Sequence, residues 1–162
     1  MIVMKFGGTS VEGAENLRRV AEIVLAHRKR RPIVVVSAMA GITDLLLAAA
    51  HGAAARRDQE LERKLRTFHN RHAHAISAAI ADAKTRTRLL ALTDQFAEEL
   101  TRILMGMSFL GEATPRALDA VVSFGERLLV EILAGVLNER GLKAKALNAQ
   151  RLIITDDRFG AA

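Results

Sequence analysis

The sequence predicts an α/β fold built on a parallel sheet, and three observations carry that reading. Two short apolar runs are each followed by a glycine-containing loop, each loop opens into an amphipathic helical pattern, and Pro32 stands between the first helix and the second run. Ile2–Phe6 reads as a short buried strand. Residues 14–31 then carry Leu17, Val20, Ile23 and Val24 at helical spacing, and Pro32 stops the helix. The β-branched run from Ile33 to Val36 repeats the plan, with a loop of small residues ending at Gly41 and a new helical pattern from Ile42 onward. A strand, helix, strand, helix order implies parallel strands joined by a right-handed crossover, so both glycine loops should lie on one edge of the sheet.

From about residue 57 to 112 the chain turns helical and rich in charge. Leu61, Leu65 and Phe68, then Leu89, Leu92, Phe96 and Leu100, mark apolar faces, and the segment reads as a helical insertion packed beside the sheet. Residues 111–141 suggest two more helical segments broken around Ser123 to Gly125, with Gly141 as a C-terminal stop. A third strand is expected over Leu142 to Asn148. The apolar run from Leu45 to Ala55 is shorter than the roughly 20 residues a bilayer requires and contains His51 and Gly52, so it reads as a buried helix.

Composition narrows the function classes. With 162 residues and 50% hydrophobic content the chain can close a core, and with no cysteine it has no disulfide framework, thiolate metal site or thiol nucleophile. A reducing cytoplasm is the expected compartment, since Lys5 and the glycines interrupt anything resembling a secretion signal. The net charge of +6 raises nucleic acid as a partner. Aromatic content of only 4%, with neither Trp nor Tyr to stack on bases, argues against it, and an anionic small molecule suits the charge equally well. The run from His27 to Arg31 falls where a helix should end, where cations suit the dipole. His69, His72 and His74 lack a carboxylate at metalloprotease spacing and read as a solvated helix face.

The two loops carry the chemistry. Lys5, at the end of a strand with its stem in the core, would need an anion for its ammonium at the ligand-binding edge. Gly7 and Gly8 would let the backbone approach a ligand closely, adopt positive φ and turn N–H groups toward an anion at the start of a helix. A glycine pair after a strand is often only a tight turn, but the loop Ser37 to Asp44 adds Gly41 and the hydroxyls of Ser37 and Thr43 on the same edge. The pattern fits neither the P-loop, whose lysine follows its glycines, nor the dinucleotide fingerprint.

The segments KFGGTSV, SAMAGITD, SFGERL and TDDRFG, in this order and over essentially the whole chain, resemble the N-terminal part of aspartate kinases in the amino acid kinase family. The resemblance implies a partial three-layer αβα sandwich with a mainly parallel sheet plus the helical insertion. It also implies phosphoryl transfer from MgATP to the side-chain carboxylate of L-aspartate, giving 4-phospho-L-aspartate for lysine, threonine and methionine synthesis. By the same resemblance Lys5 contacts the transferring phosphoryl group, with Gly7, Gly8, Ser37 and Gly41 around the ATP phosphates, and Mg2+ is held mainly through those phosphates. Thr43, Glu126 and Phe159 are implied around aspartate, with Arg158 a weaker candidate because a turn arginine is equally well a surface residue. Glu126 has an independent rationale, since a carboxylate can pair with the substrate ammonium, although a glutamate in the first turn of a helix needs no ligand. Asp156 and Asp157 read as solvated turn acids rather than a magnesium site.

A carboxylate nucleophile is already ionised at neutral pH, titrating near about 3.9, so no general base is needed and none of the usual triads occurs. Measured against the family, the expected nucleotide-binding half and regulatory ACT domains are absent, and the chain alone is expected to be inactive. Association with that half or with a second copy is expected, because an unpaired half-sheet exposes apolar surface. The alternative is a non-catalytic half-domain that binds a ligand or subunit.

Overall fold

The computed structural model describes residues 1–156 and residue 159. Strand β1 (Ile2–Phe6) pairs in parallel with β2 (Pro32–Val36), with Ile2 opposite Pro32, Lys5 opposite Val35 and Phe6 opposite Val36. Between them a 3-10 turn (Gly8–Val11) leads into helix α1 (Gly13–Ala26), and a second 3-10 turn (Arg28–Arg30) leads out of it. After β2 come α2 (Ile42–Ala54), α3 (Asp58–Ala79), α4 (Ala83–Leu110) and α5 (Pro115–Glu139), then a short 3-10 turn (Ala149–Arg151). The predicted α/β class and the parallel pairing are observed.

The strands are buried on one face only, which corrects the reading of β1 as a buried strand. Met4, Phe6, Val34 and Val36 pack on the helices, while Val3, Ile33 and Val35 on the other face are 62%, 49% and 46% exposed. A parallel sheet ordinarily has both faces covered. Two layers of the expected three-layer sandwich are therefore present among the described residues.

Helix α5 is the hub of the helical layer. It touches β2 and all four other helices, and Phe124, Leu128, Leu129, Ile132 and Leu133 are among its buried residues. The break expected around Ser123 to Gly125 does not occur. The Ser123 hydroxyl donates back to the Ala120 carbonyl at 2.7 Å, which a helix tolerates, and Gly125 is there for proximity rather than for a bend. A Cβ on Gly125 would lie 2.7 Å from the Ala38 Cβ and 2.8 Å from the Ile42 Cγ2, so its absence lets α5 press against the loop after β2.

The helix ends as anticipated. Gly141, at φ +81°, turns the chain so that the Leu142 N–H donates to the Leu137 carbonyl at 3.0 Å. The third strand expected over Leu142 to Asn148 pairs with no other strand among the described residues. At its centre a side chain is engaged instead: the Asn138 amide donates to the Ala144 carbonyl at 2.9 Å and its oxygen accepts from the Ala144 N–H at 3.0 Å. One side chain thus occupies the two backbone groups a neighbouring strand would use.

The segment expected as a helical insertion forms the helices α3 and α4, which pack on each other and on α1, α2 and α5. Asp82 caps α4 by accepting from the Thr85 N–H at 2.7 Å, and Glu139 of α5 accepts from the Ala81 and Asp82 N–H groups at 2.7 and 2.6 Å, so the α3–α4 turn is pinned to the hub helix. The histidines divide. His69 pairs with Asp94 at 2.8 Å and His74 is exposed, but His72 is wholly buried, against the expectation of a solvated face. Its Nδ1 meets the Phe68 carbonyl at 2.7 Å, so Nδ1 carries the proton, and Nε2 has no hydrogen-bond partner among the described residues. Burial pushes its pKa down to about 4; the Phe68 hydrogen bond opposes this, and the Arg71 and His69 charges add to it.

Two expectations follow from the packing. Gly125→Ala should cost about 1–3 kcal/mol through overpacking, whereas Gly106→Ala, where an added Cβ meets nothing within 4 Å, should stabilise by about 0.5–1 kcal/mol; denaturant midpoints measure both. An imidazole held neutral in the fold binds a proton more readily when unfolded, so its stabilisation is complete above the unfolded pKa near 6.5 and declines as pH falls toward 4. The stability difference between the wild type and His72→Leu should shrink across that window, by about 3 kcal/mol at most. A difference independent of pH would show that His72 does not titrate there.

Candidate functional site

The equal ends of β1 and β2 bring the two glycine loops together. The Ser37 N–H donates to the Phe6 carbonyl at 3.2 Å, extending the ladder by one rung, and the Ala40 N–H donates to the Gly8 carbonyl at 3.2 Å. Lys5, Gly7, Gly8, Ser37 and Gly41 therefore share one edge of the sheet, as the sequence predicts.

The means by which each residue serves the edge differ from expectation. Lys5 is exposed, with its stem on the open face of the sheet beside Val3 rather than in the core, because strand alternation sends odd positions outward. Its ammonium folds back over the loop, and Nζ would be 3.8 Å from a Cβ on Gly7. Neither Gly7 nor Gly8 has positive φ: Gly7 is extended, at φ −78° and ψ 173°. Gly8 is required by close approach, since a Cβ there would sit 3.0 Å from the Ala38 carbonyl oxygen and 3.3 Å from the Ala40 nitrogen. The left-handed conformation belongs to Gly41, at φ +73°, the residue that caps the start of α2.

Thr43 is exposed in the first turn of α2, two residues beyond Gly41. Glu126 follows Gly125, whose contact with Ala38 and Ile42 holds this part of α5 against the second loop. Although Glu126 is exposed, surrounding atoms remove enough water to raise its pKa above the ordinary carboxylate value. The next residue, Arg127, fixes the helix: its guanidinium lies 4.7 Å from the Phe124 ring centroid, 4.9 Å from that of Phe96, and 3.4 Å from Glu99. Phe159 is not drawn into this group. Its ring lies 5.6 Å from the Arg116 guanidinium carbon in the first turn of α5, roughly 15 Å along the helix axis before Glu126. Arg158 and Asp157 lie outside the described residues.

A residue that sequence patterns did not single out also reaches the loops. Arg71, on α3, donates from Nη2 to the Ala40 carbonyl at 2.8 Å and sits 3.6 Å from Glu12 at the end of the first loop. Its position within a run of charged residues and histidines gives no hint of this, because the contact depends on how α3 packs. A hollow of about 330 Å³ lies behind the loops, lined in part by Glu12, Gly13, Met39 and Arg71. A larger one of about 620 Å³, at Arg57, Gln59, Glu60 and Arg63, contains none of the loop residues.

The donor set suits an anion: one ammonium and the amides of two small-residue loops at helix starts. It does not offer a carboxylate cage for a cation. Among the described residues no group of three or more His, Asp and Glu side chains is placed to hold a metal ion, and no helix is long and apolar enough to cross a membrane.

The sequence profile of the amino acid kinase family matches residues 1–159. The chain belongs to that family. It is similar to aspartokinase 1 of Arabidopsis thaliana, a chloroplastic protein, with 36% identity over 96% of this chain and 27% of the relative. It is 35% identical to the lysine-sensitive aspartokinase 3 of Escherichia coli over 100% of this chain and 34% of that one. Among solved structures, E. coli aspartokinase III in complex with aspartate and ADP superimposes with a TM-score of 0.85 at 28% identity, over 99% of this chain and 34% of its own. The same enzyme with lysine and aspartate gives 0.88 at 30% identity. The chain thus spans between about a quarter and a third of the length of these relatives.

The two glycines of the site make different demands that stability measurements can separate. Gly41→Ala places a side chain at φ +73° and should cost about 1–2 kcal/mol, with Gly41→Asn costing less. Gly8→Ala should cost about 1–3 kcal/mol whatever its φ, because the Cβ meets backbone atoms of the other loop that cannot rotate away. Equal tolerance of alanine at both positions would contradict the close approach of the loops.

Proposed function

We propose that this chain forms the aspartate-side part of an aspartate kinase, in which MgATP phosphorylates the side-chain carboxylate of L-aspartate to give 4-phospho-L-aspartate. The observation that carries the reading is the Lys5 ammonium folded over Gly7 at an edge where Ala40 and Gly8 tie the two loops together. Support also comes from the solved relative whose complex contains aspartate and ADP.

ATP supplies the phosphoryl group, and Mg2+ would be carried by its phosphates, since the described residues fit an anion better than a cation. Lys5 neutralises charge that accumulates on the phosphoryl oxygens, and the amides around Gly7, Gly8 and Gly41 with the Ser37 hydroxyl supply fixed donors. Glu126 pairs with the substrate ammonium and rejects acids without an amine, and Thr43 is assigned to the aspartate with it. Phe159 joins the aspartate side only if its ring leaves Arg116 and moves along α5 toward Glu126 on binding, and Arg158 is assigned to that side by the family resemblance alone. No residue needs to remove a proton from the nucleophile, because it enters as a carboxylate. The protein aligns two anions and lowers the repulsion between them. The reaction would serve synthesis of the aspartate-derived amino acids, in the cytoplasm or an equivalent reducing compartment.

One observation favours a second reading, a binding or subunit-interaction half-domain. The open sheet face of Val3, Ile33 and Val35, with Leu152, Ile153 and Ile154 also exposed, offers apolar surface to a second copy or to a further part of the polypeptide.

The test is formation of acyl phosphate from MgATP and L-aspartate by the protein in its full natural length, trapped with hydroxylamine. Lys5→Ala should lower turnover by about 10²–10³-fold, the scale for one preorganised electrostatic donor. Glu126→Gln should raise the KM for aspartate while leaving nucleotide affinity nearly unchanged. Undiminished turnover in Lys5→Ala would remove it from the mechanism, and absence of any turnover with aspartate binding retained would favour the second reading.

A further inference from the structure

We propose that Arg71 is a positioning residue for phosphoryl transfer, acting from α3 on the peptide between Ala40 and Gly41. The inference rests on the kinase reading of the loops. That peptide is bonded to Arg71 directly, since the Ala40 carbonyl accepts from Arg71 Nη2 at 2.8 Å, while the N–H of the preceding peptide, on Ala40, donates to the Gly8 carbonyl at 3.2 Å. The Arg71 guanidinium also lies against Gly41 itself, where Nη1 would be 3.6 Å from an added Cβ.

The geometry of a trans peptide gives this clamp a consequence. The C=O and N–H of one peptide point in opposite directions, so a guanidinium that holds the Ala40 carbonyl toward α3 turns the Gly41 N–H away from α3. Gly41, at φ +73° and capping α2, is otherwise free to let this peptide rotate, because glycine accepts both signs of φ at little cost. Arg71 removes that freedom. Its planar fork can hold the carbonyl while the same nitrogen remains 3.6 Å from Glu12 Oε1, so one residue of the helical insertion spans both loops. The helical insertion thereby has a part in catalysis beyond filling space: it sets the direction of one of the amides assigned to the phosphates.

The experiment uses the protein in its full natural length with the hydroxylamine assay. Arg71→Met, which keeps the apolar stem, should lower kcat by about 10–100-fold while the KM for aspartate changes little, since an amide misdirected by about an ångström weakens the transition state rather than aspartate capture. Added guanidinium ion should restore part of the lost kcat, which a purely structural defect would not allow. Glu12→Gln should leave kcat near the wild-type value, because the carbonyl contact survives. If Arg71→Met does not fold, Arg71→Lys keeps the cation, and its kcat should still fall because a single ammonium cannot reproduce the planar fork. An unchanged kcat in the folded variant, or an equal loss in Glu12→Gln, overturns the proposal for Arg71. Harmless substitution of Lys5 in the same assay would instead overturn the kinase reading on which it rests.

Discussion

The parallel register of β1 and β2 is the constraint on which the rest of the structure depends. Phe6 lies opposite Val36, so both strands stop at the same height and both loops begin there. The extra rung from Ser37 to Phe6 and the bond from Ala40 to Gly8 extend this order into the loops themselves. A one-residue slip would turn Lys5 from the open face to the helical layer and move Met4 and Phe6 out of the core. The register is therefore enforced by apolar burial on one side, and the position of the ammonium follows from it.

Close packing of helices onto the loops supplies the second level of order. Gly125 allows α5 to touch Ala38 and Ile42, which brings Glu126 to the same region, and Arg127, stacked on Phe124 of its own helix, then locks α5 to α4 through Phe96 and Glu99. On the other side α3 delivers Arg71 to Ala40. The loops are short and rich in small residues, so they have few side-chain contacts of their own and depend on these helices for rigidity.

Much of this was legible from local sequence. The strand–loop–helix repeat, the two glycine loops on one edge, the helical insertion and the stop at Gly141 all follow from short-range rules of periodicity and backbone conformation. The failures share a different cause: they depend on a partner distant in the chain. Leu142 to Asn148 has strand composition, but Asn138 engages Ala144 in place of a neighbouring strand. Ser123 and Gly125 resemble a helix break, but the glycine answers to a loop more than eighty residues earlier. His72 sits in a charged stretch, but its helical phase turns it inward beside Phe68. In the loops, the shared edge was readable and the physical reason for each glycine was not: Gly8 is needed for proximity and Gly41 for φ. Arg71 had no sequence signal, and Phe159 rests against Arg116 rather than near Glu126.

Amide hydrogen exchange of the protein in its full natural length, with and without MgADP, tests the central claim most directly, because it reads the two loops residue by residue. If β1 and β2 exist to hold a phosphate-binding edge, nucleotide should slow exchange together at residues 7–10 and 37–42. Protection confined to one loop, or appearing only around Arg57 to Arg63, would contradict the account.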